Sequence, residues 1–160
     1  MRKHDSFRAA ITAAFPELVR NPQALAVFID RGRIAARAGP EGATKATGFE
    51  WRYTLNAVLL DFVEDPNRLA LTVLDWIRTA QSELLLNHAS GNEAFQFQVD
   101  VLDEKKVDIE ITIELNEAVD VAEDGTMTYR SEPVLESGFD DVPPGTTLDA
   151  ITIGGEALFP

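Results

Sequence analysis

The sequence predicts an α+β domain: a mixed or antiparallel sheet flanked by helices, with one long helix over 66–86 packed on the sheet. Three observations carry that prediction. Val107, Ile109, Ile111, Ile113 and Leu115 alternate with Asp108, Glu110, Thr112 and Glu114, the period-two pattern of a half-buried antiparallel strand. An equally regular alternation sets Phe49, Trp51, Tyr53, Leu55, Ala57 and Leu59 against Glu50, Arg52, Thr54 and Asn56. Between these runs, Asp65-Pro66 opens a stretch in which Leu69, Val73, Trp76 or Ile77, Ala80 and Leu84 recur with helical spacing.

The remaining elements follow along the chain. Phe7, Ala10, Ile11, Ala14 and Phe15 place a helix over 5–15, and Pro16 should end it, because the residue before a proline is pushed out of the helical region. A short turn through Arg20 leads to Asn21-Pro22, a cap or turn signal. Ala24 to Ile29 is apolar and rich in strand formers, so a buried strand is expected there. Asp30-Arg31-Gly32-Arg33 reads as a tight turn, returning Ile34 to Arg37 as the second strand of a hairpin. Residues 38–48 carry three glycines, one proline and no large apolar anchor, which predicts a mobile loop. From Val58 through Leu60 to Phe62 both strand faces are apolar, so that end should be covered on both sides. Asp65 is a natural N-cap and Pro66 a natural first helical residue, with closure expected in 87–92. Phe95, Phe97, Val99 and Val101 alternate with Gln96, Gln98 and Asp100, forming a hairpin with 107–115 across the turn at 103–106. A weaker strand covers 126–129 after Asp124-Gly125. The organisation expected is thus a single α+β domain over 1–132 and an extended C-terminal tail over 133–160, ordered against a partner, with one apolar island at Leu148 to Ile153.

Composition narrows the function classes. The chain has 160 residues, 45% apolar and 26% charged, which is globular rather than disordered composition. Twenty-seven acidic against 14 basic side chains give a net charge of −13, an unfavourable balance for holding a phosphate backbone. The charge is uneven: residues 1–60 sum to +4 and residues 61–160 to −17. Such asymmetry marks either an assembly surface or plain acidic solubility. With no cysteine, thiol chemistry and disulfides are excluded. No run of about 20 apolar residues is present to span a membrane, and the first five residues lack a secretory apolar core. A soluble protein of a reducing or neutral compartment is expected.

Catalytic patterns are scarce. His4 and His88 have no nucleophile near them in sequence, and no phosphate-binding Gly-Lys-Ser/Thr loop occurs. The carboxylate row Asp108, Glu110 and Glu114, with Asp100 opposite, is the one cluster that could be chemical. Oxygen ligands of this kind could hold Mg²⁺ or Ca²⁺ and serve a metal-dependent nuclease; the same row is also how an antiparallel strand keeps a solvated face. Arg31, Arg33 and Arg37 make a small basic group suited to a subunit contact with the acidic half, or to nucleic acid. Trp51, Tyr53 and Trp76 read as core or interface anchors. By residues alone this is an α+β domain without visible catalytic machinery.

The order of short segments is informative in another way. Phe15-Pro16-Glu17-Leu18, Asn21-Pro22, the run from Leu25 to Asp30, and Gly32-Arg33-Ile34 resemble the tail completion protein R family of contractile-tailed temperate phages. The resemblance continues through Phe49 to Asn56, Asp61-Phe62, Asp65-Pro66, Leu74 to Arg78, Glu83-Leu84-Leu85 and the strand pair 97–103 and 107–115. It stops near Ala122. The resemblance implies structural work without cofactor or catalytic residues. It implies a tail terminator, a homo-oligomeric and usually sixfold ring on the head-proximal end of the tail tube, which stops tube growth and receives the neck. Its implied partners are its own copies, tube and sheath proteins, and the head-neck connector, with DNA only in passage and no membrane. Its implied location is the virion, after assembly in the host cytoplasm. On this view Asp100, Asp108, Glu110 and Glu114 face either the lumen or an exposed surface, and Arg31, Arg33, Arg37 and Lys45 are candidate subunit or tube contacts. A head-side connector is the neighbouring alternative, and the acidic-strand nuclease the more distant one.

Overall fold

The chain opens with helix α1, Arg2–Ala14, in which Phe7 and Ile11 lie one turn apart and turn the same stripe inward. A single helical turn, α2 (Glu17–Arg20), follows Pro16, and a 3-10 turn at Pro22–Ala24 delivers the chain into strand β1, Leu25–Arg37. Strand β2 is Gly48–Phe62. Helix α3, Pro66–Ala80, starts as the sequence dictates: the Asp65 carboxylate accepts from the Asn67 amide at 2.9 Å, and Pro66 occupies the position where no amide is needed. Strands β3 (Gln96–Val101), β4 (Val107–Val121) and β5 (Met127–Tyr129) complete the main sheet. This computed structural model describes residues 2–37, 39, 45–86, 93–103 and 105–130, and the backbone of β6 (Thr152–Ile153) and β7 (Glu156–Ala157), which pair with each other.

The main sheet has the order β1-β2-β4-β3, with β5 on the same edge of β4 beyond β3, and every pairing is antiparallel. The α+β expectation therefore holds in its antiparallel form. Helices α1 and α3 lie on one face of the sheet and bury Leu55, Ala57, Leu59, Ile109, Ile111 and Ile113 against Phe7, Ile11, Phe15, Leu69, Val73 and Ile77. Each large side chain so removed from water contributes about 1.5–3 kcal/mol. Edge-to-face ring pairs, Phe7 on Trp76 at 5.0 Å and Phe15 on Phe62 at 5.3 Å, lock the two helices to each other and to the end of β2.

Several expectations are corrected. Residues 30–33 do not turn: β1 runs straight through them, paired with β2 from Leu25↔Leu59 to Arg37↔Gly48, and Asp30 is the extra residue of a bulge. The long helix stops at Ala80, where Gln81 adopts φ −152°, and Ser82–Leu86 is a separate 3-10 turn. Gln81 closes the helix, its amide donating to the Ile77 carbonyl at 2.8 Å while its buried side chain turns to β4, where Oε1 accepts from the Asn116 amide at 3.2 Å. The distal end of β2 is covered on one side only, since Leu60 is 44% exposed. Strand β4 continues six residues beyond the expected Leu115. Residues 38, 40–44, 87–92 and most of 133–160 lie outside the described residues, and with them most of the expected loop, His88 and nearly all of the expected tail.

Candidate assembly surface

The face of the sheet away from the helices is built from alternate residues of four strands, and the registers fix their rows. Ala26, Val58, Glu110 and Gln98 form one row across β1, β2, β4 and β3; Phe28, Asn56, Thr112 and Gln96 form the next. Beyond the Asp30 bulge come Arg31, Thr54 and Glu114, then Arg33, Arg52 and Asn116, and finally Arg37, Gly48, Asp120 and Thr128. The bulge decides what this face carries. Before it, odd-numbered Leu25, Val27 and Ile29 point to the helices; after it, parity reverses and Arg31, Arg33 and Arg37 point away from them. A regular strand would have driven those arginines toward the core.

The four acids singled out from sequence share this open face. Asp100 lies directly across from Asp108, and Gln98 across from Glu110. Asp108 is partly engaged, its Oδ1 accepting from the Asp61 amide at 2.8 Å, where Asp61 takes a left-handed φ of +51° at the irregular end of β2. Lys106 answers this group by reaching Asp61 Oδ1 at 3.1 Å. Glu114 accepts from the Thr54 hydroxyl at 2.8 Å. Glu110 and Asp100 stand exposed. Among the described residues no three histidine or carboxylate side chains converge in a way that could hold a metal ion.

The basic candidates divide. Arg31 and Arg33 line a cleft of about 430 Å³ together with Gly32, Arg52, Tyr53, Thr54 and Glu114. Among the described residues Arg31 meets its neighbour Asp30, at 3.2 Å with both groups exposed, a contact worth little in water. Arg37 is instead committed inside the chain: its Nη1 donates to Asp120 Oδ1 at 2.7 Å, across Gly48 of the intervening strand. Arg130, just after β5, grips the same carboxylate from the other side at 2.6 and 3.1 Å. The Arg130 guanidinium first, and Arg37 with it, holds the Asp120 carboxyl below the usual range. Lys45 is exposed just ahead of β2.

Sequence reading missed the polar anchor on the helix side. Glu117 is only 3% exposed and is the one acid of β4 that points to the helices. It accepts the Tyr53 hydroxyl on one oxygen and the Arg2 amide, at the start of α1, on the other at 2.8 Å. Burial first, and then Glu117, push the Tyr53 hydroxyl's pKa upward, so it remains a donor. Lys3, also buried, donates to Gln81 Oε1 at 2.6 Å and to the Asn116 carbonyl at 2.7 Å. Gln81 and Lys3 thus satisfy the edge of β4 between the parts covered by β3 and β5. The available signal was the break in alternation: Glu117 occupies a position where Leu115 and Val119 predict an apolar residue. His4 belongs to the same scaffold, its Nε2 donating to the Val27 carbonyl at 3.0 Å.

The family model described as P2 phage tail completion protein R (GpR) matches residues 1–133, past the Ala122 at which the segment resemblance stops. The tail completion protein R of Escherichia phage P2 is 35% identical over 136 residues, covering 83% of this chain and 84% of that protein. No solved structure matches the chain.

Proposed function

The chain belongs to the P2 phage tail completion protein R family, and we propose that it completes the tail as a terminator: a ring on the head-proximal end of the tube. Its role is structural, in virion tail assembly, and not enzymatic. In the proposed ring each copy presents one patch to a different patch on the next, the heterologous arrangement that closes when the rotation closes. The ring blocks further addition of tube subunits and receives the neck connector of the filled head, with tube and sheath proteins below it. Assembly takes place in the host cytoplasm before head and tail join.

The observation that carries this reading is the open sheet face, with arginines gathered on β1 and β2 and carboxylates on β4 and β3. A helix-free face with segregated charge suits repeated contact between copies better than it suits chemistry, for which the described residues offer no converging ligand set. In this reading Asp108, Glu110 and Glu114 face the lumen, where they repel DNA phosphates over a Debye length of about 8 Å and let the genome pass without sticking. Arg31, Arg33 and Lys45 are placed at subunit or tube contacts. The decisive experiment combines native mass spectrometry with negative-stain imaging, alongside tails assembled without the protein. A ring of about six subunits and over-long, headless tails are expected. Tails of normal length that join heads would overturn the terminator role, and a ring of about twelve would assign the protein to the head side as an adaptor.

A further inference from the structure

Resting on the ring reading, we infer that the sheet itself continues from copy to copy: the β3 edge of one chain pairs antiparallel with residues 31–37 of β1 in the next. Among the described residues both ends of the β1-β2-β4-β3 order are sheet edges. The first part of the β1 edge is already occupied, since Arg8 reaches the Leu25 and Val27 carbonyls and His4 the latter as well. Past the bulge, no described group bonds to the outer backbone of 31–37. That stretch is seven residues long and β3 is six, so the two edges match in length. Direction matches too. Three antiparallel steps separate β1 from β3, so a neighbour placed in the same orientation offers its β1 antiparallel to β3.

Side chains complete the fit. On the helix side β3 carries Phe97, 69% exposed, Val99 and Val101, 74% exposed, and the matching side of β1 carries Ile34, 58% exposed. Such an apolar edge is a template for strand addition, which native proteins cover or blunt. On the open side β3 carries Gln96, Gln98 and Asp100, while β1 offers Arg31 and Arg33. Keeping each face continuous limits the register by parity. Of the registers parity allows, Ile34 opposite Phe97 sets Arg31 opposite Asp100, and Ile34 opposite Val99 sets Arg33 opposite Asp100, whereas Ile34 opposite Val101 would face Asp100 with Ala35 and no cation. Each of the first two registers joins an apolar pair on one face to an ion pair on the other. Pairing β3 with β3 of a second copy would use up the acidic edges and leave both arginine edges bare, so it closes no ring.

The absence of native cysteine makes the join directly testable. Ile34→Cys is combined with Phe97→Cys, and separately with Val99→Cys, and the full-length protein is oxidised and run on a non-reducing gel. One of the two pairs is expected to give a ladder of covalent multimers ending at the size of the ring, with every single-cysteine variant remaining uncrosslinked. In parallel, Asp100→Arg is expected to abolish assembly, and Arg31→Asp or Arg33→Asp, whichever belongs to the cross-linking register, to restore it. A ring that forms in native mass spectrometry without any ladder overturns the sheet continuation and leaves the ring reading intact. Dimers of Phe97→Cys or Val99→Cys alone overturn it in favour of β3–β3 pairing. A protein that neither multimerises nor cross-links at millimolar concentration overturns both.

Discussion

Gly48 is the position at which one methyl group should be felt most. It stands between Arg37 and Asp120 in the last row of the open face, and a Cβ built on it would lie 2.5 Å from the Val119 carbonyl oxygen and 3.5 Å from the Asp120 Cα. Both obstacles are backbone, so neither can swing aside as a flexible side chain would. The β2–β4 ladder must open there, at the row where Arg37 crosses to Asp120. Forced overpacking of this kind costs about 1–3 kcal/mol. For a domain of this size about 1 kcal/mol moves Tm by about 2–4 °C, so Gly48→Ala should lower it by about 4–8 °C at the middle of that range. Gly32→Ala supplies the control, because its Cβ would rest 3.5 Å from the Tyr53 Cβ, an ordinary contact. Removing that glycine's freedom in the unfolded chain should leave stability unchanged or raise it by about 0.4–1 kcal/mol. The assay is thermal unfolding by circular dichroism on both variants. If the two melt within 1 °C or so of each other, the steric reasoning about row 48 is wrong.

Three further outcomes follow from the same geometry. Tyr53→Phe strips the hydroxyl from buried Glu117 and should cost about 1–3 kcal/mol in urea unfolding, with the midpoint lowered and the slope unchanged. Asp120 has a depressed folded pKa, so its contribution is present above the unfolded value of about 3.9 and lost as pH falls through the lower folded value. The stability gap between wild type and Asp120→Asn, followed by melting against pH, should therefore be largest near neutrality and shrink as pH falls below the unfolded value. Arg33→Ala removes an exposed side chain with no carboxylate partner among the described residues, so Tm should stay within about 1 °C while sedimentation shows weaker self-association.

What the sequence revealed and what it hid have physical causes. The alternation in Val107 to Leu115 announced β4 because one face is buried under helices and the other meets no described helix, and the Asp65-Pro66 start of α3 was legible because its cap chemistry is local. The bulge was not legible. Asp-Arg-Gly-Arg has turn composition, and only pairing with the long β2, twenty or so residues away, makes it one strand with a kink. The end of α3 was hidden for a related reason: Leu84 continues the helical period, but the Gln81 side chain is held by β4, far away in sequence, just where the helix ends. Of the candidate site, the sequence pattern put the acid row on the face of β4 away from the core, and the structure sets Arg31 and Arg33 on that same face. Arg37 is spoken for by Asp120, a residue that showed no local pattern.

The bulge also connects fold to assembly. β1 has to do two incompatible things: bury Leu25 and Val27 against α1, and carry Arg31 and Arg33 into solvent two and four residues past Ile29 at the same parity. A strand of strict period two can do one or the other, because a shift by one residue exchanges its faces. Inserting Asp30 as an unpaired residue resolves the conflict within one strand and keeps the β1–β2 ladder continuous to Gly48. The described contacts to the outer edge of β1, from Arg8 and His4, fall before the bulge, on Leu25 and Val27. One inserted residue thus separates a strand half that holds the domain together from the strand half that the proposed ring would pair with the next copy.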